Sequence, residues 1–240
     1  MAENIVELLT DVADAIREKK GSNEPINAQN FADEIKNLPS GGGDNDGIPS
    51  AVKDNNGNGV TNITTLSFNA SVVEVAHYAY YGCRNLQEVS FNNVLSYIGM
   101  GAFYECPIET LNLPSTINYL GKQCFAKMAA LKTFTIPLDA PLTNLPNNML
   151  WGSPLLTKFI VPKNVNKVDG YAFEGCSGLE YIDFSNLLSV PTLASTTAFS
   201  GTTKAKIIVP DSLYDEWIAA TNWASFADRI VKDSEYTRPL

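Results

Sequence analysis

Apolar and polar positions in the middle of this chain follow one pattern six times over. Stretches ending at Phe91, Leu113, Ile136, Val161, Phe184 and Val209 share it, and a half repeat, Ile63 to Phe68, leads in. Successive ends, from Phe68 to Val209, lie 22 to 25 residues apart. A period of that size marks a supersecondary unit that buries its apolar face only by stacking on its neighbours. Near each end apolar and polar residues alternate, with Leu66, Val89, Leu111, Phe134, Phe159, Ile182 and Ile207 facing inward. Period-two alternation predicts one half-buried strand per repeat. Pro114, Pro137, Pro162 and Pro210 then stop the strands, because proline cannot extend a ladder.

The other columns have physical readings too. Tyr80, Phe103, Phe125, Leu150, Phe173 and Phe199 recur after a small residue, and stacked in register they form the spine of the core. Three residues on stand Cys83, Cys106, Met128, Ser153, Cys176 and Thr202, a narrow site for small or soft side chains. Cys124 takes the place that Ala79, Ala102, Ala172 and Ala198 hold elsewhere. The cysteines therefore read as buried thiols. Cys83 and Cys106 are neighbours in the stack, so a disulfide between them in an oxidising medium stays open.

Written as I-G-x-x-A-F-x-x-C-x-x-L followed by a strand and proline, and present here as YIGMGAFYEC and VDGYAFEGCSGLEYIDF, the pattern resembles the BspA-like, Treponema pallidum type, leucine-rich repeat. The resemblance covers residues 61–210, with repeats four and six departing from the A-F-x-x-C core. It implies an α/β repeat: a leucine-rich-repeat solenoid with a stacked parallel sheet. It also implies a bacterial, phage or protist surface protein that binds other molecules, without a catalytic constellation that could be transferred.

The ends complete the expected organisation. Residues 1–38 predict a helical hairpin. Its first helix carries Ile5, Leu8, Leu9, Val12 and Ile16 on one face, and its second, capped by Asn27, carries Phe31 and Ile35. Two short helices bury too little surface alone, so these residues are expected to form an anchor and homo-oligomerisation unit. The segment also resembles an N-terminal module of phage structural proteins, which implies a trimer, attachment to a capsid or tail protein, and a virion location. Residues 39–60 read as a Gly/Asp-rich linker. Within it Asp54, Asn56, Asn58 and Gly59 imitate a calcium loop, but Thr65 stands where a bidentate carboxylate is needed, which favours a plain turn. Residues 211–240 predict a C-terminal helical cap begun by Asp211 or Ser212, with Trp217, Ile218, Trp223, Phe226 and Ile230 covering the open end of the stack.

Composition narrows the chemistry. The net charge of −9 arises at the two ends, while residues 61–209 are balanced, with nine acidic and nine basic side chains. No basic stripe exists, so nucleic acid is not an expected partner. No apolar run reaches the ~18 residues of a membrane span. The single histidine, His77, falls inside a repeat and reads as structural. A triad, a His-rich zinc site, a phosphate loop and a C-x-x-C pair are all missing, so no enzyme activity, metal or cofactor is expected.

The functional expectation is thus a non-enzymatic recognition module. Its outward strand rows are mostly hydroxyl and amide groups, which suit wet recognition of a glycan or protein and equally suit a soluble sheet. Seven strands at ~4.8 Å make a face about 30 Å wide. Glu88, Lys158, Tyr181 and Asp183 break its uniformity and are the candidate ligand residues, with Tyr181 the expected exposed ring. Display on a virion, on a bacterial surface as an adhesin, and a purely structural decoration without ligand are the three settings this reading admits.

Overall fold

The computed structural model describes residues 63–239. The segments holding Ile5, Leu8, Leu9, Val12, Ile16, Phe31 and Ile35, and the Asp54 to Gly59 turn, lie outside the described residues. From Ile63 the chain winds as a coil with two strands per repeat. The longer ones are β1 (Thr65–Ser67), β3 (Glu88–Ser90), β5 (Thr110–Asn112), β7 (Thr133–Thr135), β9 (Lys158–Ile160), β11 (Tyr181–Asp183) and β13 (Lys206–Val209). Between them run β2 (Glu74–Val75), β4 (Tyr97–Ile98), β6 (Tyr119–Leu120), β8 (Asn144–Leu145), β10 (Lys167–Val168) and β12 (Thr192–Leu193). Every pairing is parallel and in repeat register, as with Leu66 opposite Val89, Phe159 opposite Ile182, and Ile182 opposite Ile207.

One strand per repeat was the expectation; the short strands are additional. Their second residues, Val75, Ile98, Leu120, Leu145, Val168 and Leu193, are buried, and the first residue of each points outward. Two residues are too few to announce a strand by alternation. Register supplied by the neighbouring repeats makes the ladder.

The third side of the coils is a pair of tight turns, replaced in the sixth repeat by a short 3-10 helix, Thr196–Phe199. Its backbone N–H groups donate to the carbonyls of the next repeat: Tyr78 to Met100, Tyr80 to Ala102 and Gly82 to Tyr104, each at 2.8 Å, then Phe103 to Cys124 at 2.9 Å and Phe125 to Met149 at 3.1 Å. Such a ladder needs left-handed residues at fixed places. Gly82 (φ 68°) and Glu105 (φ 59°) hold one of them, and Tyr78 (φ 57°) and Gln123 (φ 57°) the other. Non-glycine residues pay steric strain there, which the inter-repeat hydrogen bonds offset. Glycine at 99 has a different cause: a Cβ on it would sit 2.5 Å from the backbone nitrogen of His77.

The core is the expected one. Tyr80, Phe103 and Phe125 stack at 5.2 and 5.8 Å, Phe173 and Phe199 at 5.7 Å, and all are buried. The four cysteines are buried free thiols, Cys83 and Cys106 included. Cys106 donates to the Tyr80 carbonyl at 3.2 Å and Cys176 to the Leu150 carbonyl at 3.1 Å. Burial pushes the Cys176 thiol up to about 12 and raises Cys83, Cys106 and Cys124 as well. His77 is structural, its Nδ1 accepting from the Met100 amide at 2.7 Å.

The strand ladders are interrupted. β3 and β5 do not pair with each other, and the stretch from Cys106 to Leu111, with Pro107, is one residue shorter than that from Cys83 to Val89. The breaks between β7 and β9 and between β6 and β8 flank a longer connection containing Pro137 and Pro141.

The C-terminal cap is only partly helical. The tight helical turn Asp211–Leu213 leads into α1 (Tyr214–Ala219); a second turn, Trp223–Phe226, precedes β14 (Ile230–Lys232), which pairs in parallel with β13. A strand satisfies the open backbone groups of β13, and a helix cannot. The tryptophans do cap the stack. Trp217 and Trp223 are fully buried against Phe184, and Trp223 donates to the Pro191 carbonyl at 2.7 Å. Neither is available to stack on a sugar.

Candidate recognition surfaces

Three surfaces leave the coil. The first is the outer face of the long-strand ladder. Over β1 to β7 it is the expected field of small polar groups, with Thr65, Ser67, Glu88, Ser90, Thr110, Asn112, Thr133 and Thr135 exposed. Thr135 donates to Asn112 at 2.5 Å, and Lys132 pairs with Glu109 at 2.8 Å. The character changes beyond β9.

Four residues on this face were expected to mark the ligand site, and the structure separates them. Glu88 and Lys158 are exposed, but two strands of the ladder, β5 and β7, lie between them. Lys158 is the register partner of Tyr181. Tyr181 and Asp183 are not the exposed groups expected; they are 4% and 3% exposed. The C-terminal segment covers them. Tyr236 lies 5.7 Å from the Tyr181 ring, and Arg238 donates through Nε at 2.9 Å and Nη2 at 2.7 Å to Asp183 Oδ2. Burial, then the Asp183 charge, raises the Tyr181 phenol above its ordinary range. Nothing in the periodicity could disclose this cover, because the covering residues lie outside the repeat.

The second surface is the row formed by the first residues of the short strands: Glu74, Tyr97, Tyr119, Asn144, Lys167 and Thr192. Tyr97 and Tyr119 stack at 4.5 Å, 3° from parallel, and Tyr119 is 45% exposed. Tyr97 also reaches His77 Nε2 at 3.3 Å. Farther along, Asp169 accepts from Asn144 at 2.9 Å and pairs with Lys167 at 2.7 Å.

The third surface is the turn edge. Tyr81 stacks on Tyr104 at 4.7 Å, 8° from parallel, and is 41% exposed. Where the next repeat has only Ala126, the Lys127 ammonium fills the row, 5.6 Å from the Tyr104 ring and 4.9 Å from that of Trp151. Glu105 faces both Lys127, at 3.9 Å, and Arg84, at 3.3 Å. Burial, then Tyr104 and Glu105, raises the Tyr81 phenol. Both aromatic rows escaped the sequence reading. Their trace was visible as tyrosines at equal register in adjacent repeats, Tyr81 with Tyr104 and Tyr97 with Tyr119.

Among the described residues no three His, Cys, Asp or Glu side chains converge as a metal site, and no helix is long and apolar enough to cross a membrane.

Comparison with known proteins agrees with the geometry. Among solved structures, the chain is similar to the T. pallidum leucine rich repeat protein at 21% identity and a TM-score of 0.54, covering 64% of this chain and 68% of that one. A leucine-rich repeat protein of Bacteroides ovatus is 22% identical with a TM-score of 0.48, covering 62% of this chain and 44% of that one. One of Eubacterium ventriosum is 18% identical with a TM-score of 0.49, covering 66% and 46%. The chain thus spans less than half the length of the latter two proteins. Comparison with curated proteins yields no match. The BspA type leucine rich repeat region, in six copies, matches residues 57–180 and 143–216, and the chain belongs to that family.

Proposed function

We propose that this chain is a non-enzymatic, surface-displayed recognition module that grips a protein or glycan through its two tyrosine rows. The observation that carries the reading is an exposed tyrosine held by ring stacking on each flank, Tyr119 on the half-buried Tyr97 and Tyr81 on the buried Tyr104. Ring stacking holds these side chains in fixed orientations before any partner arrives, which lowers the ordering cost of contact. Tyrosine offers apolar area with a polar tip, the combination that anchors interfaces. Lys127, Arg84 and Glu105 surround one row with charge of both signs, as an interface rim requires.

Display at a bacterial surface accords with the family, whose members are typically bacterial surface proteins. The virion setting draws no support from the family match, which covers residues 57–216 and not the phage-like N-terminal segment. The test is binding of the labelled full chain to arrays of extracellular-matrix proteins and glycans, beside a Tyr81→Ala/Tyr119→Ala double variant. Captured partners should lose at least ~10-fold in affinity with the double variant, as expected when two interface anchors are truncated. A partner bound equally by both proteins would overturn the assignment to the tyrosine rows.

A further inference from the structure

We infer that Asp183 and Ser185 form a guanidinium-binding site on the outer face of the long-strand ladder, with Tyr181 beside it receiving an aromatic ring, filled in this chain by Arg238 and Tyr236 and open to an arginine-bearing extended peptide when that segment leaves. The site is separate from the tyrosine rows, so its failure would leave the recognition reading intact. Asp183 is a built acceptor. The Ser185 amide donates to its Oδ1 at 2.9 Å, which fixes the carboxylate and leaves Oδ2 for both Arg238 contacts. The Asp183 side chain is 4% exposed, yet it stands in a row between Ile160 and Ile208. A carboxylate so placed calls for a cation, and Arg238 meets it with two donors converging on one oxygen, which the single ammonium of lysine does not offer. Ser185 Oγ accepts from the same guanidinium at 3.3 Å, and Asp233 pairs with the same nitrogen, Nη2.

End-capping does not account for this contact. Trp217, Trp223 and Ile230 already close the stack and are buried, and β14 already pairs with β13. Arg238 reaches back past β13 to β11, two strands in from the edge. The covering segment also behaves as a docked ligand. Along residues 236–239 alternate side chains turn inward, with Tyr236 and Arg238 half-buried and Thr237 and Pro239 exposed. Here the reading is by side chains alone, since β11 is already paired on both edges with β9 and β13. The fitting partner is therefore an extended peptide with an aromatic residue and an arginine two positions apart, and the chain's own segment keeps the site closed until such a peptide displaces it.

The experiment uses fluorescence anisotropy with a labelled peptide of residues 234–240, SEYTRPL, titrated with the full chain and with its Arg238→Ala variant. The peptide should bind the variant and bind the unaltered chain at least ~10-fold more weakly, since a tethered competitor acts at an effective concentration of about millimolar. A peptide with glutamine for arginine should bind the variant at least ~10-fold more weakly, and adding Asp183→Asn should do the same. If Arg238→Ala does not fold, Arg238→Lys, which keeps a cation opposite Asp183 but cannot fork, replaces it in the same titrations. Peptide that binds neither protein, binds both equally, or binds without need of its arginine or of Asp183 would overturn the proposal.

Discussion

Replacing Phe103 by alanine tests the column reading most directly. The ring is fully buried, stacked 5.2 Å from Tyr80 and 5.8 Å from Phe125, with Phe91 edge-on at 5.9 Å. Its neighbours belong to the repeats on both sides and cannot collapse into the void without shifting two inter-repeat ladders. The loss is thus the transfer free energy of the ring plus a nearly full cavity term, about 3–5 kcal/mol. For a domain of this size each kcal/mol is worth roughly 2–4 °C in Tm, so the variant should melt about 6–20 °C lower. Thr133→Ala, on the exposed row of β7, should stay within ~0.5 kcal/mol. Thermal melts followed by circular dichroism decide between them. Equal shifts for the two variants would refute the assignment of inward and outward columns.

The two reasons for glycine can be ranked by the same assay. Gly99→Ala forces a Cβ onto backbone atoms of the preceding repeat and should cost about 3 kcal/mol or more, whereas Gly82→Ala meets no atom within 4 Å and should cost only the left-handed backbone term of about 1–2 kcal/mol, and a larger loss at Gly82 than at Gly99 would refute the distinction. A third outcome concerns pH. Cys176 titrates near 12 when folded, above the ~8.5 of an unfolded thiol, so its stabilisation is complete below about pH 8.5 and is lost as pH rises toward 12. Denaturant midpoints at stepped pH should show the advantage of the native chain over Cys176→Ala shrinking by up to about 1.4 kcal/mol per pH unit in that window. A pH-independent difference would refute a buried neutral thiol at this position.

Much of the coil could be read from the chain because repetition multiplies weak evidence. One apolar residue at Phe103 says little, but Tyr80, Phe125, Phe173 and Phe199 in phase with it define a column. The long strands and the buried cysteines followed from that phase. What escaped had no period or no length. Two-residue strands such as Tyr97–Ile98 fall below what alternation can mark, and their pairing partners lie a full repeat away. The burial of Tyr181 and Asp183 depends on Tyr236 and Arg238, 55 residues beyond in each case, through contacts that no local rule encodes. The cap contains a strand because β13 presents an open edge, and edges are a property of the assembled sheet.

The turn ladder gives the solenoid an electrical direction. In the strands, peptide groups point alternately up and down the stack and their dipoles largely cancel. In the turns they do not: the N–H groups of Tyr80, Phe103, Phe125, Leu150 and Phe173 all point toward later repeats, and the carbonyls they meet point back toward earlier ones. Each such peptide carries about 3.5 D, and head-to-tail alignment sums them as it does along a helix axis. A protein with one six-residue helix in its described part thereby acquires a macrodipole along its length, negative toward the first repeat and positive toward the cap. Each further repeat adds to that dipole, so an array of this kind presents its two ends to charged surroundings as opposite poles.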